Sequence, residues 1–171
     1  MRYFSELAYK GTNYCGWQRQ PNGITVQETI EKAFSTILRT PITVHGCGRT
    51  DTGVHASQFF IHFDFEQSFP KGFVWRLNKF LPNDILIKNI FEVEPEASTR
   101  FDAYHRSYEY HISFQKALFN EETVFHFPFA NQLDFEKMQQ AATLLLNYDA
   151  FFPFCKTKSD AKTMLCDMKR A

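Results

Sequence analysis

Hydrophobic and polar positions follow two different periods along the chain. Four short segments rich in β-branched and aromatic residues predict strands, at residues 3–9, 42–47, 58–65 and 85–93. Two other segments repeat apolar residues three and four positions apart, which predicts helices. The first begins after Thr25, which forms a capping box with Glu28, and ends before Pro41. The second runs from about residue 71 to residue 80.

The resulting order is strand, helix, strand, strand, helix, strand. This order predicts an α+β fold in which residues 1–95 form a ferredoxin-like βαββαβ domain. The connection between the second and third strands, residues 48–56, contains glycines and charged residues. We therefore expect this connection to be the functional loop of the domain.

A second unit follows an acidic linker at residues 92–96. Alternation over residues 108–114 predicts a strand, apolar spacing over 135–146 predicts a helix, and residues 162–168 predict one more strand. The helix is expected to turn four side chains inward, those of Met138, Ala141, Ala142 and Leu145. A sheet of this size is incomplete. We therefore expect residues 96–171 to be the first part of a C-terminal domain, and the chain to be the N-terminal portion of a longer protein.

Composition narrows the class of protein. The chain has 171 residues, of which 44% are hydrophobic and 22% charged, as in an ordinary globular protein. It contains no apolar run long enough to span a membrane and no signal-peptide pattern at Met1, so we expect a soluble, cytoplasmic protein without membrane contact. The four cysteines lack the spacing of a zinc site, which predicts reduced thiols and no bound metal.

Charge leaves RNA binding open. Lysine and arginine together number 19, as do aspartate and glutamate, so bulk charge does not attract nucleic acid. Both ends are locally basic: residues 1–55 carry six basic against four acidic side chains, and residues 156–171 carry five against two. Such faces are compatible with RNA binding, and they are also typical of a solvated protein surface.

The segment 48–56, Gly-Arg-Thr-Asp-Thr-Gly-Val-His-Ala, has the strongest chemical signal. Its glycines allow a tight turn and the close approach of a bulky substrate, and Arg49 can hold a polyanion beside the carboxylate of Asp51. From the residues alone, a glycine-rich hairpin with an ordinary surface ion pair between Arg49 and Asp51 explains the same pattern.

This nonapeptide closely resembles the catalytic motif Gly-Arg-Thr-Asp-Ala-Gly-Val-His-Ala of the tRNA pseudouridine synthase A family, and it differs from that motif only at Thr52. Other segments resemble the family in the same order along the chain. They are residues 14–20, 26–28, 77–85, 100–103, 106–110 and 154–156. The resemblance therefore covers the whole chain, and it corresponds to the N-terminal domain and the first part of the C-terminal domain of that family.

The resemblance implies that the protein isomerises uridine to pseudouridine in tRNA. Asp51 is then the nucleophile that opens the glycosidic bond, by attack at C1′, by attack at C6 or by a glycal route. Tyr108 is expected to stack on the uracil, and Arg49 to contact phosphates. Further candidates for lining the RNA path are Tyr14, Trp17, Arg19 and His55. Structural alternatives are a strand tyrosine for Tyr108, a cap on the core for Trp17 and a loop hydrogen bond for His55.

The implied reaction changes no oxidation state and transfers no group, so no cofactor is expected. A uridine within a stem must be flipped out before its glycosidic bond can be reached. The resemblance implies uridines of the tRNA anticodon arm as substrates, and a homodimer in which one tRNA touches both subunits. The family pairs its aspartate with an arginine of the C-terminal part that has no match here, so we expect the chain to be inactive or impaired by itself.

Two other classes of function compete with this interpretation. Asp51-Thr52-Gly53 is also the triplet of aspartic proteases, but that site needs two copies, each after an apolar strand, and here one copy follows Gly48-Arg49-Thr50. A non-catalytic RNA-binding module is the second alternative, because βαββαβ sheets also bind RNA. The segment 59–63 has the aromatic residues of such a module without its glycines.

Overall fold

The computed structural model describes residues 1–155 and 163–171. They form two compact units, Met1–His111 and Ile112–Ala171. Each unit contains both strands and α-helix, and the fold is α+β, as the sequence predicts. Among the residues described, no helix is long and apolar enough to cross a membrane.

The first unit contains four strands and two helices in the predicted order. They are β1 (Arg2–Tyr9), α1 (Val26–Leu38), β2 (His45–Gly46), β3 (Ala56–Asp64), α2 (Phe73–Phe80) and β4 (Ile85–Val93). The strands form one sheet in the order β2-β3-β1-β4, and each neighbouring pair is antiparallel. Tyr9, at the end of β1, pairs with Ala56 of β3 and Ile85 of β4. The loops next to these three residues therefore meet at one end of the sheet.

The core of the first unit lies between the two helices and the sheet. β1 buries every second side chain, as expected for a strand with one covered face. Phe34 of α1 makes edge-to-face contacts with Phe63 of β3, at 5.1 Å between ring centroids, and with Phe73 of α2, at 5.6 Å. Aromatic pairs of this geometry add to the stabilisation from apolar burial. Several of the many phenylalanines of the chain are thus structural.

α1 forms where its sequence signals place it. The hydroxyl of Thr25 accepts a hydrogen bond from the backbone N–H of Glu28 at 3.3 Å, which satisfies one of the free donors at the start of the helix. The apolar stripe of the helix is buried, and it consists of Val26, Ile30, Ala33, Phe34 and Leu38. Arg39 ends the helix in the left-handed conformation, with φ of 55°.

β2 is shorter than the sequence predicts, because side chains of α1 form hydrogen bonds with the backbone of the residues that precede β2. The predicted strand covers residues 42–47, but only His45–Gly46 pair with β3 in the ladder. The backbone N–H of Val44 donates to Glu31 at 3.1 Å, and its carbonyl accepts from Gln27 at 3.0 Å. Ile42 and Val44 are buried in the alternating manner of a strand, yet their backbone is held by helix side chains.

The second unit has little regular structure. β5 (Ile112–Ser113) and β6 (Phe125–His126) form a two-stranded parallel sheet, and α3 covers Phe135–Leu145. Two short 3-10 helices lie at Ala130–Gln132 and Phe152–Phe154. Asp134 caps α3 by accepting a hydrogen bond from the backbone N–H of Lys137 at 3.0 Å.

Two predictions for this region are wrong in part. The predicted strand at 108–114 is a strand only at Ile112–Ser113, since that is the stretch that finds a partner in β6. The predicted helix is present, but none of its residues is buried, so the four side chains expected to point inward do not form a core. Of the predicted strand at 162–168, residue 162 lies outside the described residues; from 163 on, Leu165 forms an isolated bridge with Ala150.

Candidate active site

The loop that carries Asp51 connects β2 to β3 and lies against the loop that follows β1. The backbone N–H of Trp17 donates to the carbonyl of Thr50 at 3.0 Å, and the N–H of Gly53 donates to the carbonyl of Tyr14 at 3.4 Å. These contacts join main chain to main chain. The backbone of Tyr14 and Trp17 therefore holds the Asp51 loop on both sides of Asp51.

Glycines allow this close approach. Gly16 has φ of 83°, and a Cβ atom at this position would lie 2.5 Å from the carbonyl oxygen of Thr50. A side chain at Gly11 would collide with the backbone carbonyl of Val54. Gly53 has φ of 80°, and no atom lies close to where its side chain would be. Glycine is favoured there because the turn requires a positive φ.

A buried hydroxyl pair lies beneath the loop. The Tyr9 hydroxyl lies 2.9 Å from Oγ1 of Thr50, the residue before Asp51. Burial is the largest cause and raises the pKa of Tyr9 to about 12, while the hydrogen bond to Thr50 acts in the opposite direction. Tyr9 thus stays neutral at physiological pH and anchors the loop through a hydrogen bond between hydroxyls.

Asp84 holds the loop after β1 at the same end of the sheet. Its carboxylate accepts hydrogen bonds from the Tyr14 hydroxyl at 2.7 Å and from the Asn13 side chain at 3.3 Å, and its carbonyl accepts from the N–H of Lys10 at 2.8 Å. Burial, followed by the hydrogen bond to Asp84, raises the pKa of Tyr14. Asp84 lies just before β4, so three loops are tied together around Tyr14.

Three of the residues proposed to line the RNA path have structural roles here, and one of them is the buried Tyr14, which bonds Asp84. Trp17 is only 3% exposed and packs on Phe59, with 4.3 Å between ring centroids, which places it in the core. Nδ1 of His55 accepts a hydrogen bond from the backbone N–H of Gly11 at 3.1 Å. His55 therefore fastens the end of the Asp51 loop to the loop after β1.

Arg19 is more accessible than these three residues. Its guanidinium is 65% exposed and lies 3.8 Å from Glu28 and 3.7 Å from Glu31, at the start of α1. It borders an open cavity of about 550 Å³ that is also lined by Gln20, Pro21, Gly23, Ile24 and Glu28. Glu28 is exposed and Glu31 is only 12% exposed, so Arg19 covers a partly buried carboxylate and keeps its own guanidinium open to solvent. Ion pairs this long with an exposed partner contribute little to stability.

The remaining candidates are exposed. Asp51 and Arg49 both present their side chains on the surface of the loop. Tyr108 is 78% exposed and lies in the irregular segment that ends the first unit. Arg106, two residues before it, contacts the carbonyl of Cys47 at the start of the Asp51 loop.

Several residues that build this site have no role that their sequence positions predict. Tyr9 and Asp84 hold the loops, and Arg106 contacts the start of the Asp51 loop through the carbonyl of Cys47 at 2.9 Å. Tyr9 was identifiable as the last residue of a predicted strand facing a polar loop. Arg106 stands two residues before Tyr108, and no local pattern predicts its contact with Cys47.

The four cysteines are free thiols. Within the described parts of the chain, no group of three or more histidine, cysteine, aspartate or glutamate side chains is placed to hold a metal ion.

Comparison with known proteins identifies the family. A scan against protein-family models finds no match. The chain is 45% identical over 174 residues to tRNA pseudouridine synthase A of Parabacteroides distasonis, and 45% identical over 173 residues to the protein of that name from Bacteroides fragilis. It is 44% identical over 173 residues to that of Porphyromonas gingivalis. Each alignment covers 99% of this chain and 68% of the relative.

The chain therefore belongs to the tRNA pseudouridine synthase A family. It spans about two thirds of the length of these relatives.

Proposed function

We propose that the protein isomerises uridine to pseudouridine in tRNA and that Asp51 is its nucleophile. Family membership supports the reaction, because the relatives are named for it. The observation that carries the assignment of Asp51 is its setting. The family's catalytic motif occupies a loop held by backbone contacts, and the carboxylate is presented on the surface, where a flipped nucleotide can reach it.

The reaction balances with the residues of the protein alone. The glycosidic bond between C1′ and N1 breaks, the uracil turns, and a bond forms between C1′ and C5. The proton on C5 is lost and N1 gains one, so no oxidant and no group donor enters. Asp51 supplies the carboxylate that opens the glycosidic bond, whether by attack at C1′, by attack at C6 or by glycal formation.

The other candidates take roles that suit their positions. Tyr108, exposed and two residues after Arg106, which contacts the start of the Asp51 loop, stacks on the uracil. Arg49, on the surface of the loop, contacts phosphates, and Arg19 extends this contact beside the open cavity. His55 holds the loop in place through Gly11, and Trp17 forms the apolar floor below it.

The family resemblance and the sheet also support a proposal for the domain organisation and the oligomeric state. The antiparallel strand order of the first unit, with both helices contributing to one core, supports a ferredoxin-like arrangement for a domain of residues 1–95. Residues 96–171 then form the first part of a C-terminal domain. We further propose a cytoplasmic homodimer that binds tRNA and acts on uridines of the anticodon arm.

The experiment that tests the proposal replaces Asp51 with asparagine in the full-length protein. Asp51→Asn keeps the shape of the side chain and removes its charge, so we expect pseudouridine formation to be abolished while tRNA binding persists. Turnover is measured as tritium released from tRNA labelled at C5 of uridine, and binding by filter retention. Asp149→Asn makes the same change at an exposed aspartate of the other unit and should be fully active.

Two results would contradict the proposal. Normal turnover by Asp51→Asn excludes this carboxylate as the nucleophile. Loss of tRNA binding in proportion to the loss of turnover assigns Asp51 to substrate binding instead.

A further inference from the structure

Arg106 joins two segments of the first unit. Its Nη2 atom donates one hydrogen bond to the carbonyl of Cys47 at 2.9 Å and another to the carbonyl of Arg100 at 3.0 Å. Its Nε atom lies close to Gly48, 3.7 Å from where a Cβ atom would stand. One guanidinium group therefore bridges the segment that contains Arg100 and the first residues of the Asp51 loop.

The two segments that it bridges carry the two residues proposed to act on the target uridine. Cys47 and Gly48 begin the loop that leads to Asp51, and Arg106 itself precedes Tyr108 by two residues. In an extended chain two residues span only about 7 Å. The contact of Arg106 with Cys47 thus limits how far Tyr108 can move from the Asp51 loop.

The upstream end of the same segment is attached separately. Thr99 is buried; its hydroxyl donates to the carbonyl of His45 at 3.1 Å, and its backbone N–H donates to Nδ1 of His62 at 3.3 Å. Removal of the Arg106 side chain leaves these bonds intact. Because Arg106 is itself exposed, its replacement also leaves the core of the unit unchanged.

The chemistry of the contact favours arginine. The guanidinium is planar and directs several N–H groups from one rigid fork, so a single nitrogen can reach two carbonyls while Nε stays near Gly48. Hydrogen bonds from a charged donor are stronger than neutral ones. A lysine ammonium is a single point charge at the end of a flexible four-carbon stem; it has neither the rigid fork nor an Nε atom to place near Gly48, so it cannot reproduce this geometry.

We propose that Arg106 is a positioning residue for the isomerisation: it fixes the start of the Asp51 loop relative to Tyr108. This inference rests on the proposed function of Asp51 and Tyr108. It predicts an effect on the chemical step rather than on tRNA binding, because Arg106 acts through the carbonyl of Cys47.

The test uses Arg106→Gln, Arg106→Lys and Arg100→Gln in the full-length protein. Arg100→Gln is the matched control, since it removes the same charge from the same segment, while only the backbone carbonyl of Arg100 takes part in the bridge. We expect Arg106→Gln to lower kcat by about tenfold to a hundredfold, the usual consequence of displacing a catalytic group by about 1 Å, with tRNA affinity unchanged. Arg106→Lys should not restore kcat, and Arg100→Gln should match the unmodified protein.

Three outcomes would overturn the inference. Weaker tRNA binding at unchanged kcat in Arg106→Gln, with recovery in Arg106→Lys, makes Arg106 a phosphate contact. Equal losses in Arg106→Gln and Arg100→Gln make the effect one of charge alone. Unchanged kcat in Arg106→Gln, in an assay where Asp51→Asn is inactive, refutes the positioning role alone; activity of Asp51→Asn itself refutes the proposed function. Thermal unfolding of each variant verifies that it is folded.

Discussion

Replacing Gly16 with alanine puts a methyl group at the point where the Asp51 loop crosses the loop after β1. The new Cβ atom would lie 2.5 Å from the carbonyl oxygen of Thr50, and that oxygen would have to retreat by roughly 0.9 Å to reach ordinary contact distance. The same oxygen accepts the hydrogen bond of Trp17, and the Thr50 hydroxyl contacts Tyr9. The substitution therefore displaces the residue that directly precedes Asp51.

The magnitude has two parts. An alanine held at a positive φ costs about 1–2 kcal/mol, partly offset by about 0.4–1 kcal/mol because alanine restricts the unfolded chain. Forcing an extra methyl group into a closely packed site adds about 1–3 kcal/mol. We expect Gly16→Ala to lower the free energy of unfolding by about 2–4 kcal/mol. A loop shift of this size should reduce kcat by about a hundredfold.

Gly72→Ala is the matched control. Gly72 also has a positive φ, 67°, but no atom lies within 4 Å of its missing side chain, and it precedes α2. This variant should show only the conformational part, about 1 kcal/mol or less, with normal kcat. Urea denaturation gives the stability, and tritium release from labelled tRNA gives kcat. If Gly16→Ala is as stable and as active as Gly72→Ala, the close crossing does not determine the position of the Asp51 loop.

Two further changes test the framework. The side-chain amide of Asn78 accepts a hydrogen bond from the N–H of Ile87 at 2.8 Å and donates one to its carbonyl at 2.7 Å. Asn78→Ala should therefore lower the free energy of unfolding by about 2 kcal/mol. Urea denaturation measures the change, and Asn83→Ala, at an exposed asparagine, is the control. Burial lowers the pKa of His62, whose Nδ1 accepts from Thr99. Because the unfolded histidine binds its proton more readily, stability should be constant above about pH 6.5 and fall as pH drops from there towards the folded pKa. His62→Gln should remove this fall in pH-dependent denaturation curves, and an unchanged slope contradicts the explanation.

Local signals predicted much of the first unit because they act over a few residues. Thr25 with Glu28 marked the start of α1, and the spacing of Ile30 and Phe34 marked its buried face. Alternation likewise located β1, whose inward side chains are buried. These features depend on periodicity and capping, which a sequence displays directly.

A local sequence pattern does not show which group each backbone N–H or carbonyl will bond. Ile42 and Val44 alternate with polar residues, as in a strand, and both are buried. The backbone N–H of Val44 nevertheless donates to Glu31 and not to β3. The same limit explains the segment before β5. Tyr108 and Tyr110 share the alternating pattern, and the ladder begins only at Ile112, where β6 supplies a partner.

The site shows the same division. The motif around Asp51 could be identified from its residues, since glycines and charges at fixed spacing are local. The contacts of Tyr9 with Thr50 and of Tyr14 with Asp84 join positions 41 and 70 residues apart. No local pattern encodes such pairs. The candidate chemistry of the loop can therefore be predicted from its residues, but the contacts that support the loop are apparent only in the folded structure.

The attachment of the Asp51 loop to main-chain atoms has a consequence for how this protein can vary. A hydrogen bond to a backbone carbonyl does not depend on the side chain of that residue. Exposed positions beside the crossing, such as Thr12, Gln18 and Arg19, can therefore change without displacing the loop. Gly11 and Gly16 are the fixed points. A library randomised at the exposed positions should therefore yield altered RNA preferences in folded proteins, and natural divergence in substrate choice has the same route open to it.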